Sequence, residues 1–417
     1  MKIQTVNARE IFDSRGLPTL ECDIMLSTGE GVTASVPSGK SRGNAEAMEL
    51  RDTDRLNGLG VLSAVDVIHT VLAPLIIGKE PDVVALDQLL LAADGTEQKT
   101  SLGANSLLAV STAICKAQAL ADGMEIYECI AYLCDITTVS LPFGMFNIVN
   151  GGLHANSGLA VQEVLIVPLG VPTFRESFEV ATMVFQQFKR LLEQHNLSTL
   201  VGDEGGFAPA ITDLSQILDL VSQAIKSAGF EKNVIFGLDM AASQWYDQQT
   251  QMYTVNNVLH TTQDLIAWYQ KLVGQYPIYS IEDGLADSDW NGWQELTASL
   301  ASIQLVADDL FATNTKRIVQ GLERSIANAV IIKPIQIGTI TETLQAVKLC
   351  QEYEMPIIIS HRSGETNDPF IADLAVGCNA LQIKAGGCMR GERMAKYNRL
   401  MRIEEQLLRL QALQRDE

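Results

Sequence analysis

The chain offers little with which to enter a membrane or grip a polyanion. Its longest apolar stretches fall far short of the ~18–20 residues that a bilayer span needs, and Met1-Lys2-Ile3-Gln4-Thr5-Val6 has no signal-peptide core. Basic residues are scarce: 30 Lys and Arg stand against 50 Asp and Glu, a net charge of −20 that argues against a nucleic-acid surface and for a soluble, cytoplasmic protein. An anionic substrate would need a local positive site or bound cations to offset that field. Cysteine is also sparse. The seven are odd in number and form no CxxC pair, which excludes a zinc site or disulfide framework and leaves reduced, buried thiols. Low-complexity tracts and short repeats are missing. With 47% hydrophobic and 19% charged residues the chain is globular, and 417 residues allow two domains or a barrel plus a module.

What is present is a row of apolar runs that each stop on a charge. Val234–Leu238 ends on Asp239, Tyr276–Ile281 on Glu282 and Asp283, and Ile303–Ala307 on Asp308 and Asp309. Ala329–Ile332 ends on Lys333, Pro356–Ser360 on His361 and Arg362, and Ala380–Ile383 on Lys384. After the first interval the ends recur every 23 to 28 residues, the length of one βα unit. A continuous apolar run suits a parallel strand buried on both faces. A charge at its C-terminal end suits the mouth of a β/α barrel. Residues 1–134 differ in rhythm. Ile3–Ile11, Thr19–Leu26 and Gly31–Val36 read as a strand meander, and Ser106–Ala121 as a helix stopping before Asp122-Gly123. The expected architecture is an N-terminal α+β domain over residues 1–134 and an α/β, TIM-type barrel over 135–417, with the boundary near Cys134–Ser140. Thr173 with Glu176, and Thr339 with Glu342, have the spacing of capping boxes.

Asp239, Glu282 and Asp308 would crowd into one mouth, where like charges ~4 Å apart repel by about 4 kcal/mol per pair. A hard divalent cation relieves this, and all-oxygen ligation favours Mg²⁺; the competing reading makes each acid a helix N-cap. Lys333 and Lys384 at strand ends are costly unless paired or working. A lysine beside another cation and a metal would have its neutral form favoured, which makes each a candidate general base; alternatively both lysines bridge barrel carboxylates. In Val201–Pro209, Glu204 lies among glycines and is a candidate general acid with a raised pKa, unless the loop is only a turn. Asn150–Ala155, followed by Gln162 and Glu163, is Gly-rich enough for a lid, and its His154 is either structural or catalytic. His361, Arg362 and Ser363 supply donors for an oxyanion, Arg362 being suited to phosphate. Two decoys fall away. Gly39-Lys40-Ser41 lacks the first glycine of a phosphate-binding loop, and Gly58-Leu59-Gly60 lacks the third glycine of a dinucleotide fingerprint.

Together these residues resemble the enolase family, glycolytic 2-phosphoglycerate dehydratases, almost end to end. The likeness runs through Ala8–Gly16, Asp94–Glu97, Gly103–Asn105, Val201–Pro209, Ser280–Gly284, Ser360–Thr366, Tyr397-Asn398 and Arg402–Glu405. It implies a capping domain on a barrel that begins ββαα before six βα units, and commonly a homodimer. It further implies Asp239, Glu282 and Asp308 on a first Mg²⁺, and Ser41 helping to hold a second. Lys333 would be the base toward C2 and Glu204 the acid toward the C3 hydroxyl. His154, Gln162, Glu163, His361, Arg362, Ser363 and Lys384 would line the site for a phosphorylated carboxylate. Some positions depart from the family pattern: Lys40 and Arg42 in the small-domain loop, Pro334 and Ile335 after Lys333, Gln244, and Ala385-Gly386-Gly387. Two readings compete with enolase chemistry, a related barrel enzyme for another carboxylate and a non-catalytic binding paralogue.

Overall fold

A computed structural model describes residues 1–40 and 43–415. Ser41 and Arg42 therefore lie outside the described residues. Strands β1 (Ile3–Phe12), β2 (Pro18–Leu26) and β3 (Gly31–Ser35) form the antiparallel meander. Along β2 the period of two is plain: Leu20, Cys22, Ile24 and Leu26 are buried, while Glu21 and Asp23 face Arg9 across the sheet. The buried face packs on the helix Ala104–Asp122, which ends at Gly123 in the left-handed region, as Asp122-Gly123 predicts. After the helix Ile126–Leu133 an irregular segment leads to Phe143.

From there β4 (Phe143–Asn150), β5 (Glu163–Pro168) and β6 (Val234–Asp239) open a closed barrel. A hairpin sheet follows, β7 (Tyr246–Asp247), β8 (Met252–Val255) and β9 (Val258–His260). The barrel resumes with β10 (Ile278–Glu282), β11 (Gln304–Ala307), β12 (Ala329–Ile332), β13 (Ile357–Ser360) and β14 (Gln382–Lys384), and β14 pairs with β4 to close it. The inserted β7–β9 hairpin explains why the first strand-end interval is the long one. Among the described residues the barrel has eight strands, and β5 runs antiparallel to both neighbours, β4 and β6. Two helices, Phe174–Gln194 and Leu214–Ala228, separate β5 from β6, which is the ββαα opening the resemblance implied.

The barrel strands are apolar throughout because both faces are covered. Met145, Leu165, Val167, Val306, Ala329, Ile331 and Ile358 fill the interior as a separate cluster. Their neighbours in sequence, such as Ile166, Leu305, Val330 and Ile359, join the larger core beneath the helices. Thr173 and Thr339 cap their helices by accepting from the Glu176 and Glu342 amides, but the reciprocal half of each capping box is not formed. The full box occurs instead at Thr261 and Asp264, and at Glu125 and Glu128. All seven cysteines are free thiols, six of them buried. Among the described residues no helix is long and apolar enough to cross a membrane.

Candidate active site

The barrel register brings the predicted charges to one end. Glu282 and Asp239 are direct partners on adjacent parallel strands, and Ser360 pairs with Lys384. Because β5 runs backwards, its first residue faces the mouth, so Glu163 pairs with Asp239 on one side and Asn150 on the other. A buried cavity there is lined by His154, Gln162, Glu163, Glu204, Asp239, Asp308, Lys333, His361, Arg362, Ser363 and Lys384. Glu282 stands beside it, bound to Lys384. Of the predicted site residues only Ser41 lies outside this description.

The cations hold the acids in pairs. Lys384 Nζ lies 2.8 Å from Asp239 Oδ2, 2.8 Å from Glu282 Oε2 and 3.1 Å from Glu163 Oε1. Lys333 Nζ is ion-paired with Asp308, whose other oxygen accepts from Gln336 Nε2 at 2.9 Å. Burial is the strongest single influence on Lys333 and pushes its pKa down, but the attraction of Asp308, joined by that of Glu282, leaves the value above the ordinary one. Arg362 is paired with Glu46 of the capping domain at 2.8 Å, and Ser363 Oγ accepts from the Lys40 amide at 2.8 Å. Lys40 itself reaches Asp203 at 2.9 Å. Pro334 is the first residue of the short helix Pro334–Ile337, where no amide donor is needed, and Lys333 before it is extended. Gln244 donates to Gln162 Oε1 at 2.7 Å and so turns the Gln162 amide toward Asp239, a donation that a glutamate would not make.

On the far side of the mouth Asn147 Nδ2 bridges Glu163 at 2.7 Å and Glu204 at 3.1 Å. His154 Nδ1 stands 3.1 Å from Glu204 Oε2, close enough for ion pairing though not aligned for a hydrogen bond. The raised carboxylate of this pair is Glu163, lifted well above the usual range by burial and then by the Glu204 charge. Glu204 goes the other way. Burial would raise it, but His154 and His361 hold it well below the carboxylate range, against the sequence expectation. Burial also holds the His361 pKa well below its ordinary value, and the Arg393 guanidinium adds to the pull on Glu204. Gly206 is required where it stands, since a Cβ would fall 2.1 Å from Asn147 Oδ1. The Gly151–His154 turn is tied back on its own loop, Gly151 N to Gln162 O and Gly152 N to Leu159 O, both at 2.9 Å.

Could the mouth hold a cation? Its lining counts seven carboxylates, Glu46, Glu163, Glu204, Asp239, Asp283, Asp308 and Asp309, against Lys40, Lys333, Arg362 and Lys384. The surplus is felt. Burial and then Asp239 lift Glu282 to about 8, and burial and then Asp308 lift Asp309 to about 7. Oxygens of Asp283, Asp308 and Asp309 lie within 4.8 Å of one another, as do ligand atoms of His154, Glu163 and Glu204. Asp239 and Glu282 converge on the Lys384 ammonium instead. Asp283 takes a positive φ of 44° and turns its carboxylate onto the Asp308 and Asp309 amides, both at 3.0 Å, which fixes the end of β11. An all-oxygen, over-acidic set of this kind fits a hard divalent cation.

Several site residues escaped the sequence reading. Glu46, Asn147 and Arg393 are buried and contact predicted residues directly, yet none ends an apolar run. Gln336 had a signal in its spacing from Lys333.

Fold and mouth together define a capped β/α-barrel protein, with acids, lysines and an arginine converging at one end of the barrel. Residues 3–130 match the family model of the enolase N-terminal domain, and residues 138–413 that of the enolase C-terminal TIM barrel domain. The chain belongs to the enolase family.

Proposed function

We propose that this chain interconverts 2-phosphoglycerate and phosphoenolpyruvate plus water by α-proton abstraction and β-elimination. The observation that carries this reading is the opposition of two groups across one cavity. Lys333 ends β12, and the Glu163–Glu204 pair sits at β5, diametrically across the barrel order. A base and an acid on opposite sides of a small substrate suit stepwise anti elimination.

Lys333 is assigned as the base that takes the C2 proton. Burial, Arg362 and Lys384 all favour its neutral form, and Asp308 and Glu282 oppose them; once these carboxylates are engaged elsewhere, the balance moves toward a free amine. Asp239, Glu282 and Asp308 are the residues assigned to hold Mg²⁺, with Ser41 assigned to a second ion. Bound there, Mg²⁺ would supply positive charge against the carboxylate as its α-carbon loses a proton. Lys384 adds an ammonium on the same side. Arg362 and Ser363 are assigned to the phosphate, which would compete with Glu46 for the guanidinium. Glu204 is assigned to protonate the leaving hydroxyl. The proton carried by its coupled neighbour Glu163 makes the pair, rather than Glu204 alone, the reservoir. His154, Gln162 and His361 complete the wall.

The test is direct. Purified protein with 2-phosphoglycerate and Mg²⁺ should generate the ultraviolet absorbance of phosphoenolpyruvate, and EDTA should stop it. Well-folded protein that gives no signal under these conditions would refute the assignment.

A further inference from the structure

Arg393, in the first turn of the helix Gly391–Arg415, is fully buried and, among the described residues, bonds to none assigned above to a metal. Its guanidinium fastens two separate active-site loops. Nη1 donates to Arg362 O at 2.8 Å, and Nη2 donates to Ser363 O at 2.7 Å and to Asp203 O at 3.2 Å. Nη1 also stands 2.6 Å from Nδ1 of His361. Room for the arginine stem is made by Gly386, at φ 91°, where a Cβ would lie 2.7 Å from Arg393 Cδ and 2.7 Å from Glu204 O. The Gly387 amide then donates to Glu204 O at 2.9 Å.

The contact with His361 has one chemical reading. A guanidinium has five donors, no acceptor and no accessible deprotonation, so the nitrogen facing it must accept. The Nδ1 of His361 is therefore bare, and the ring proton resides on Nε2. That nitrogen lies 3.6 Å from Glu204 Oε1, beyond hydrogen-bond range and at the cavity wall.

We propose that Arg393 is a positioning residue that fixes His361 as the neutral Nε2–H tautomer, so that it offers the cavity a donor beside the Glu204 carboxylate. A substrate hydroxyl oxygen approaching Glu204 would then meet a fixed N–H as well as the acid. The burial that keeps the His361 cation from forming acts in the same direction. This role rests on Glu204 being the acid, but the tautomer does not.

The test begins with ¹⁵N NMR of histidine-labelled protein without substrate, the His361 signals being assigned by their loss in His361→Asn. Expected in the wild type is a bare Nδ1 and a protonated Nε2, unchanged from about pH 6 to 8. A protonated Nδ1, or an imidazolium in that range, would overturn the proposal even if no variant folds. In Arg393→Met the bare-Nδ1 signature should give way to a mixture of tautomers. In that variant kcat should fall about 10–100-fold, with a smaller change in KM and an altered pH profile; Arg393→Lys, still donor-only, should restore the tautomer. Unchanged tautomer and pH profile in a folded Arg393→Met protein would sink it. A wild type with the expected tautomer but no turnover of 2-phosphoglycerate would fault the lyase assignment and leave the arginine–histidine arrangement standing.

Discussion

At the scale of the residue, the site is a contest between burial and charge. Lys333 shows this best, since two carboxylates, Asp308 and then Glu282, keep it protonated against burial and two neighbouring cations. Lys333→Ala is expected to lower kcat by about 10²–10⁴-fold, while Mg²⁺ titrated in a calorimeter still binds. Turnover near the wild-type rate would remove the base assignment. The sequence exposed Lys333, Lys384 and the three acids because a charge that ends a doubly buried strand has few structural uses. It could not expose Arg393, Asn147 or Glu46, whose importance lies in partners distant in the chain: Glu46 meets Arg362, and Arg393 meets Asp203. Nor could spacing reveal which of Glu163 and Glu204 carries the proton. That depends on the folded surroundings: His154 stands 3.1 Å from Glu204 and 3.8 Å from Glu163, and Arg393 also acts on Glu204.

Among the elements, the loop after β3 decides how the capping domain meets the mouth. Among the described residues its contacts near the mouth include the Ser38–Gly364 bridge, the Lys40 amide on Ser363, and the Lys40–Asp203 ion pair. The pair is partly exposed, with 41% of the Lys40 side chain and 28% of the Asp203 side chain open. Pairs of this kind are worth about 0–1 kcal/mol, so the backbone bonds dominate. Lys40→Ala should raise KM for 2-phosphoglycerate by no more than about fivefold, leave kcat nearly unchanged, and lose part of the salt dependence of KM. A drop in kcat of an order of magnitude would mean that Lys40 acts on the substrate rather than as a latch. The family resemblance pointed to this loop, but no local pattern told where the Lys40 side chain would reach. Strand β5 was hidden for another reason. Sequence reading sought charges at strand ends, and an antiparallel strand presents its start.

Across the whole molecule, cap and barrel are joined by buried polar contacts, Lys116 with Asp368 at 2.6 Å, Lys99 with Glu342 at 2.8 Å, and Asp87 with the Thr341 amide at 2.9 Å. Burial lifts Asp87 from 3.8 to about 6, the Thr341 and Ser111 bonds offsetting only part of the rise. A carboxylic acid so raised contributes stability that is complete below its unfolded pKa and disappears as pH climbs through the folded one. Asp87→Asn keeps an acceptor for Ser111 and Thr341, and it replaces an oxygen that has no hydrogen-bond partner. The wild type should therefore lose about 2 kcal/mol relative to this variant between pH 4 and pH 7, read from denaturant midpoints; parallel curves would refute the shift. The two-part architecture and the six charge-tipped barrel strands were legible because period-two and doubly buried patterns differ so clearly. The pairing of β14 with β4 was not, since nothing local in Gln382–Lys384 names its partner. That pairing has a consequence for biosynthesis. Lys384 sits opposite Met145, so the ring of strands stays open until the last of them leaves the ribosome, and the clasp at Arg393 follows later still. A nascent chain would carry its acids and Lys333 outside the exit tunnel well before it could assemble them, and a premature stop before the final helix would release a polypeptide without a finished pocket.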